Sequence, residues 1–195
     1  MTAKARRASD VDRVLLSLGD LPKPRPRPAL VIVAGLPGTG KSVFAAQVEA
    51  RTDCVVLESD AIRRLLFERP AYTWFESRRV FSALHAAARK LLEAGVSCVV
   101  DATNLAEAYR KPLYDIAEEW SAKLIVVEVT APEDVVMARL SDPKTTPERL
   151  SEADAAVYQK MRRAWEEIGR EHLVVDTSKP TGEAAAAVAR AMEDP

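Results

Sequence analysis

Residues 29–44 read ALVIVAGLPGTGKSVF, and this stretch decides the fold class. Ala29 to Ala34 form a short, unbroken apolar run, the signature of a strand buried on both faces. Gly35, Gly38, Thr39 and Gly40 then make a glycine-rich turn, and Lys41 and Ser42 open a helix carrying Val43, Phe44 and Val48. Gly35 to Ser42 fit G-x-x-x-x-G-K-[ST], a pattern that average residue frequencies would give in a chain of this length less than about once in a hundred. The glycines let the backbone curl until consecutive N–H groups point inward, and the following helix adds its positive end, which makes a cradle for phosphate oxygens. In such a loop Lys41 reaches the β and γ phosphates and the Ser42 hydroxyl ligates Mg²⁺, so the expected ligand is ATP with magnesium.

Working outward, four more apolar, β-branched runs follow: CVVL (54–57), SCVVD (97–101), KLIVVEV (123–129) and HLVVD (172–176). Helical patterns separate them, which predicts an α/β fold with five parallel strands and helices on both faces. Capping-box spacing marks helix starts at Thr73 with Glu76, Asn104 with Glu107, Thr130 with Glu133, and Ser151 with Asp154. Within 73–94, Phe81, Leu84, Ala88 and Leu91 form one core-facing stripe. Pro112 requires the preceding helix either to begin late or to kink. Residues 184–191 read as an ordinary Ala-rich helix. The polar segment 141–150, SDPKTTPERL, reads as a mobile loop, and a lid is expected over about 139–151.

The 195 residues fit one domain, 29–195, preceded by an arm, 1–28. That arm holds seven basic and three acidic residues and alternates Pro22, Pro24, Pro26 and Pro28 with Lys23, Arg25 and Arg27, which reads as an extended, solvated connector, with a nucleic-acid contact as the alternative. Upstream, Val11, Val14, Leu15 and Leu18 have the spacing of a short helix that packs on the domain. With 48% hydrophobic residues and 32 alanines against 7 glycines, the chain can build a core and favours helix over a turn-rich sandwich. A net charge of −1 supplies no field for holding an extended duplex. Cys54 and Cys98 sit inside apolar runs and read as reduced core thiols, and no stretch approaches the ~20 apolar residues of a membrane span. The expected location is cytoplasmic.

Among phosphate-loop classes, a guanine-reading N-K-x-D segment and an L-S-G-G-Q signature are both missing, which leaves a compact kinase. Asp101 ends a strand run where a carboxylate would support Mg²⁺-bound water, or else cap Thr103 or Asn104. Asp60 and Arg63 lie one helical turn apart. Asp60 has the chemistry of a general base for an acceptor hydroxyl, with Arg63 holding the acceptor; alternatively Ser59 caps the helix and Asp60 complements its dipole. A cation-bearing lid would exclude water and stabilise the transferring phosphoryl group. His85 and His172 read as structural, and Tyr72, Trp74 and Phe75 as core at a helix start or as the wall of an acceptor pocket.

Together, Gly35–Ser42, Ser59-Asp60-x-x-Arg63, Asp101-Ala102-Thr103-Asn104 with Arg110, and Arg139 before a polar loop resemble the polynucleotide-kinase-like and zeta-toxin-like P-loop kinases, an AAA-type ATP-binding group. The resemblance covers about 29–178 and implies a three-layer, adenylate-kinase-like fold around a mainly parallel five-stranded sheet. It implies Asp60 as base, Arg63 on the acceptor and Arg139 gripping the transferring phosphate from the lid, with Asp176-Thr177-Ser178 as a base-contacting loop. The implied reaction is transfer of the γ-phosphoryl group of ATP to a hydroxyl, such as a 5′-OH polynucleotide end. The usual second lid arginine is replaced by Pro143, with Lys144 and Arg149 nearby, a departure that leaves room for a nucleoside, sugar nucleotide or antibiotic acceptor. A partner-regulated ATPase docking through the arm is the contrasting class.

Overall fold

The computed structural model describes residues 8–142 and 155–194. Much of the expected lid, including Pro143, Lys144, Arg149 and the Ser151 cap, therefore lies outside the described residues. The five strands are β1 (Ala29–Ala34), β2 (Val55–Glu58), β3 (Cys98–Asp101), β4 (Lys123–Thr130) and β5 (Leu173–Asp176). They form one parallel sheet in the order β2-β3-β1-β4-β5. β1 is central and buried at every position, as its unbroken apolar run demands.

Alternation along β1 feeds two core layers. Leu30, Ile32 and Ala34 pack with helices α3 (Ser59–Leu66), α4 (Trp74–Glu93) and α5 (Glu107–Glu119) on one face. Ala29, Val31 and Val33 pack with α2 (Lys41–Glu49) and α8 (Gly182–Glu193) on the other. The remaining helices are α1 (Asp10–Ser17), α6 (Glu133–Ser141) and α7 (Ala155–Arg163). In α4 the expected stripe is present, Leu84, Ala88 and Leu91 being fully buried and Phe81 packed against them.

Two expected helix starts differ. Asn104 does not cap α5; it takes a left-handed conformation (φ 46°) and donates its side-chain amide to Val33 O, while α5 begins at Glu107 after Ala106. Starting that late leaves Pro112 inside the helix. Thr130 is still strand, its hydroxyl directed at Val175 O, and α6 begins after Pro132. In both cases pairing with the sheet outcompetes the local cap. Thr73 does cap α4 through the Glu76 N–H, but the Glu76 carboxylate turns to the Ala71 N–H rather than completing the box.

α1 is amphipathic and places Val14 in the core, with Asp10 in a bidentate ion pair to Arg79 of α4 (2.6 and 2.8 Å). The proline-rich segment 21–28, which bends at 26–27, runs along the edge opposite the glycine-rich loop. Arg25 N–H donates to Gly95 O (2.7 Å), Lys123 N–H donates to Pro28 O (2.9 Å), and Arg25 pairs with Glu193. Cys54 and Cys98 are buried free thiols; burial pushes the Cys54 thiol up to about 12, so neither is a thiolate at neutral pH.

Candidate active site

The carboxyl ends of β1, β3 and β2 lie side by side, because Val33 pairs with Asp101 and Asp101 with Glu58 across the sheet. In open parallel sheets this is the edge where ligands bind. The loop 35–40 rises from it. A Cβ on Gly35 would collide with Val129 O of the neighbouring strand, and Gly40 takes φ 92° where the loop turns into α2, so both positions call for glycine. Gly35 N–H donates to Thr103 O (3.1 Å), anchoring the loop to the segment after β3.

Lys41 starts α2, and its ammonium donates to Leu36 O (2.9 Å), folded across its own loop. Burial lowers its proton affinity, while the Asp101 and Asp60 carboxylates act in the opposite direction. Asp101 is 3% exposed; burial raises its carboxyl, opposed by Lys41 and by a hydrogen bond from Ser42. It therefore meets Ser42 and Lys41 rather than capping Thr103 or Asn104. A hydroxyl and a buried carboxylate side by side form the oxygen donor set that Mg²⁺ prefers when substrate phosphates and water complete its shell. Ser42 and Asp101 thus fit that ion.

Asp60 stands in the first turn of α3. Burial raises its carboxyl above the usual range, against the pull of Arg63, Lys41 and Arg64, with Asp101 reinforcing the rise. Ser59 makes no cap, since α3 starts at Ser59 itself and follows Glu58. Asp101 from the end of β3 and Asp60 from the start of α3 therefore face the Lys41 ammonium, and a third carboxylate, Glu58 at the end of β2, stands near both of them. Glu58 is the member that local reading passes over, because the apolar run ends at Leu57 and only sheet register brings Glu58 beside Asp101.

Burial first, then Asp101 and Asp60, push Glu58 up to about 7, with Arg64 opposing. A carboxylate raised on folding stabilises the protein below its unfolded value and loses that contribution as pH rises through its folded value. Glu58→Gln should therefore raise Tm at pH 8 relative to wild type, and the difference should shrink as pH falls towards 4.5. Calorimetry over that range is the check, and an equal Tm at pH 8 would remove the like-charge strain from Glu58.

Arg63 is 5% exposed and faces α4. Its Nη2 donates to Ser77 Oγ (3.2 Å), Nη1 lies 3.5 Å from Glu76, and the guanidinium stacks on Tyr72. Nε and Nη1 have no hydrogen-bond partner. Arg139, in the last turn of α6, donates to Gly38 O (3.3 Å), Thr177 Oγ1 (2.8 Å) and Thr177 O (2.8 Å). Thr177 in turn donates to Thr39 O (2.6 Å), so the loop after β5 is knitted to the glycine-rich loop.

Arg110 is wholly buried and joins two distant segments, donating to Asn104 O and to the Glu166 and Glu167 carbonyls (2.9–3.1 Å). Neither histidine sits at the site. His85 packs on Phe81, and burial lowers it to about 4, keeping it neutral at pH 7. His172 lies 3.3 Å from Glu128 on the far side of β4, a partner distant in sequence.

The family model described as AAA domain matches residues 30–168. Over 117 residues the chain is 29% identical to the L-seryl-tRNA(Sec) kinase of Methanococcus maripaludis, covering 56% of this chain and 44% of that protein. The chain thus spans less than half the length of this relative. The Mycobacterium tuberculosis APS kinase, solved with AMPPNP and APS, matches with TM-score 0.65 and 21% identity over 87% of this chain and all of that one. A gluconokinase from Sinorhizobium meliloti matches with TM-score 0.62 and 22% identity over 87% and 96%. At these identities the likeness to the solved structures is one of fold: a parallel five-stranded α/β sheet.

Proposed function

The chain belongs to the AAA domain family, and from that premise we propose that it is an ATP-dependent phosphotransferase that moves the γ-phosphoryl group to a hydroxyl acceptor. The observation that carries this reading is the convergence of Lys41, the Ser42–Asp101 pair and Asp60, from three separate segments, on one sheet edge. The kinases named above as relatives and fold neighbours are in keeping with it.

In this mechanism the N–H groups of 38–42 hold the phosphate oxygens, and the Lys41 ammonium leaves Leu36 O for the β and γ phosphates. Magnesium, held by Ser42 and Asp101, would supply charge neutralisation on those phosphates. Asp60 accepts the acceptor's proton as the new P–O bond forms; the bond from γ-phosphorus to the β–γ bridging oxygen breaks, and ADP leaves. Desolvation matches this role, since a carboxylate raised above its usual range is a stronger base. Arg63, ion-paired with Glu76 through Nη1, keeps its Nε–H without a hydrogen-bond partner and would offer it to the acceptor, and Arg139 guards the nucleotide side, where a phosphate would replace its bonds to Gly38 and Thr177. Thr177 lines the base-contacting loop.

The buried free cysteines suit a reducing, cytoplasmic setting, and among the described residues no helix is long and apolar enough to cross a membrane. As acceptor we favour a polynucleotide end of the polynucleotide-kinase-like type, with a nucleoside, sugar nucleotide or antibiotic as the other class. The test is incubation with γ-labelled ATP, magnesium and a panel of oligonucleotides, nucleosides and sugar nucleotides. Label on an acceptor hydroxyl is the expected result. Release of label only as inorganic phosphate, unstimulated by every acceptor, would replace this reading with that of a regulatory ATPase.

A further inference from the structure

The first turn of α4 carries aromatic side chains for which the fold has no use. Trp74 is 71% exposed and Phe75 65%, whereas the helix buries Val80, Leu84, Leu91 and Leu92 in its later turns. Tyr72, just before them, takes φ 52°, a conformation that a bulky residue adopts only when its surroundings hold it there. It is stacked 4.6 Å from the Arg63 guanidinium, and the Glu76 carboxylate clamps the neighbouring Ala71 N–H.

Charge is concentrated here too. Residues 61–82 hold five arginines against two glutamates, net +3 in a chain whose total is −1. Arg79 is neutralised by Asp10 and Arg63 faces Glu76. Among the described residues no carboxylate pairs with Arg69 or Arg78, and Arg78 lies 5.5 Å over the Trp74 ring. Beside Phe75 runs a groove of about 390 Å³, bordered by Val11, Arg78, Arg79 and Ser82, with the paired Asp10 at its margin. In sequence, Lys4, Arg6 and Arg7 stand just ahead of α1, which forms one wall of that groove.

We propose that the surface of Tyr72, Trp74, Phe75, Arg69 and Arg78 binds single-stranded nucleic acid, the polymer body of the acceptor whose terminal hydroxyl reaches Asp60. This rests on the phosphotransferase reading above and gives its acceptor a docking surface. Exposed rings interleaved with unpaired guanidinium groups match a ligand that alternates π faces with phosphates. A purely apolar partner would leave Arg69 and Arg78 without counter-charge, and a duplex would keep its base faces covered. The surface is continuous with the site, because Tyr72 covers Arg63 and Arg63 lies one helical turn from Asp60.

Fluorescence anisotropy with short labelled single-stranded oligonucleotides, in ribose and deoxyribose forms and as an abasic strand of equal charge, tests the surface. A fluorescent ATP analogue is titrated in parallel. Wild type should bind base-bearing strands of at least one sugar type, more weakly as salt rises, and the abasic strand much less. Trp74→Ala with Phe75→Ala, and separately Arg78→Glu, should each weaken binding about tenfold or more while nucleotide affinity stays unchanged. All three side chains are exposed, so the variants should keep the wild-type circular dichroism.

Equal affinity for abasic and base-bearing strands, or variants that bind like wild type, would overturn the proposal. So would transfer to a small acceptor by a protein that binds no strand, a result that leaves the phosphotransferase reading intact. Self-association that Trp74→Ala abolishes, without strand binding, would overturn it in favour of an interface between copies. Failure to bind the ATP analogue would instead sink the phosphotransferase reading, whatever the strands do.

Discussion

Lys41→Ala is expected to lower phosphoryl transfer by about 10³-fold or more. Lys41 lies at the foot of the glycine-rich loop, and the surrounding fold has already desolvated it, with Asp101 and Asp60 as its compensating charges. A desolvated ammonium is stabilised most by a ligand carrying several negative oxygens, and a triphosphate brings them where Leu36 O now stands. Alanine removes that charge and leaves Asp101 and Asp60 facing each other. Steady-state transfer and nucleotide titration should both show the loss. Undiminished turnover would move the phosphate site away from this loop.

Asp60→Asn should act differently. The amide fills the same space in the first turn of α3 but cannot take a proton, so transfer should fall by roughly 10²- to 10⁴-fold while ATP affinity stays near the wild-type value. The wild-type rate should also fall as Asp60 becomes protonated on acidification, and since burial raises this carboxyl, the fall should begin above the usual carboxylate range. The acidic limb should disappear in Asp60→Asn. Equal transfer by the variant and wild type would take the base role from Asp60.

The Lys41 expectation was legible in the sequence because it rests on a local pattern, whereas spacing left Asp60 open between a base and a partner of the helix dipole. The run Ala29–Ala34 predicts a buried strand, and Gly35–Ser42 predicts a curled loop, since periodicity and glycine placement are properties of adjacent residues. All five strands fall where the apolar runs place them. Contacts between remote segments were not legible. Glu58 meets Asp101 only through strand register, Arg139 meets Thr177 across 38 residues, and Arg110 binds carbonyls 56 and 57 residues away.

The same cause explains the two misplaced helix starts. Asn104 and Thr130 have capping chemistry and spacing, yet each lies within reach of a neighbouring strand's carbonyl, Val33 O for Asn104 and Val175 O for Thr130. Competition between a cap and a sheet contact is settled by tertiary position, which spacing along the chain does not encode. The exposure of Trp74 and Phe75 is a similar case. Their composition fits core or pocket equally, and only the packing of α1 and α3 against α4 leaves them outside.

The most direct measurement is a crystal structure of the protein with magnesium and AMPPNP. The account predicts the triphosphate along 35–42, the Lys41 ammonium moved from Leu36 O to the β and γ phosphates, the metal on the Ser42–Asp101 side, and the Asp60 carboxylate facing the γ-phosphate from the acceptor side. A nucleotide seated elsewhere, or Asp60 turned away from the γ-phosphate with the loop filled, would contradict it.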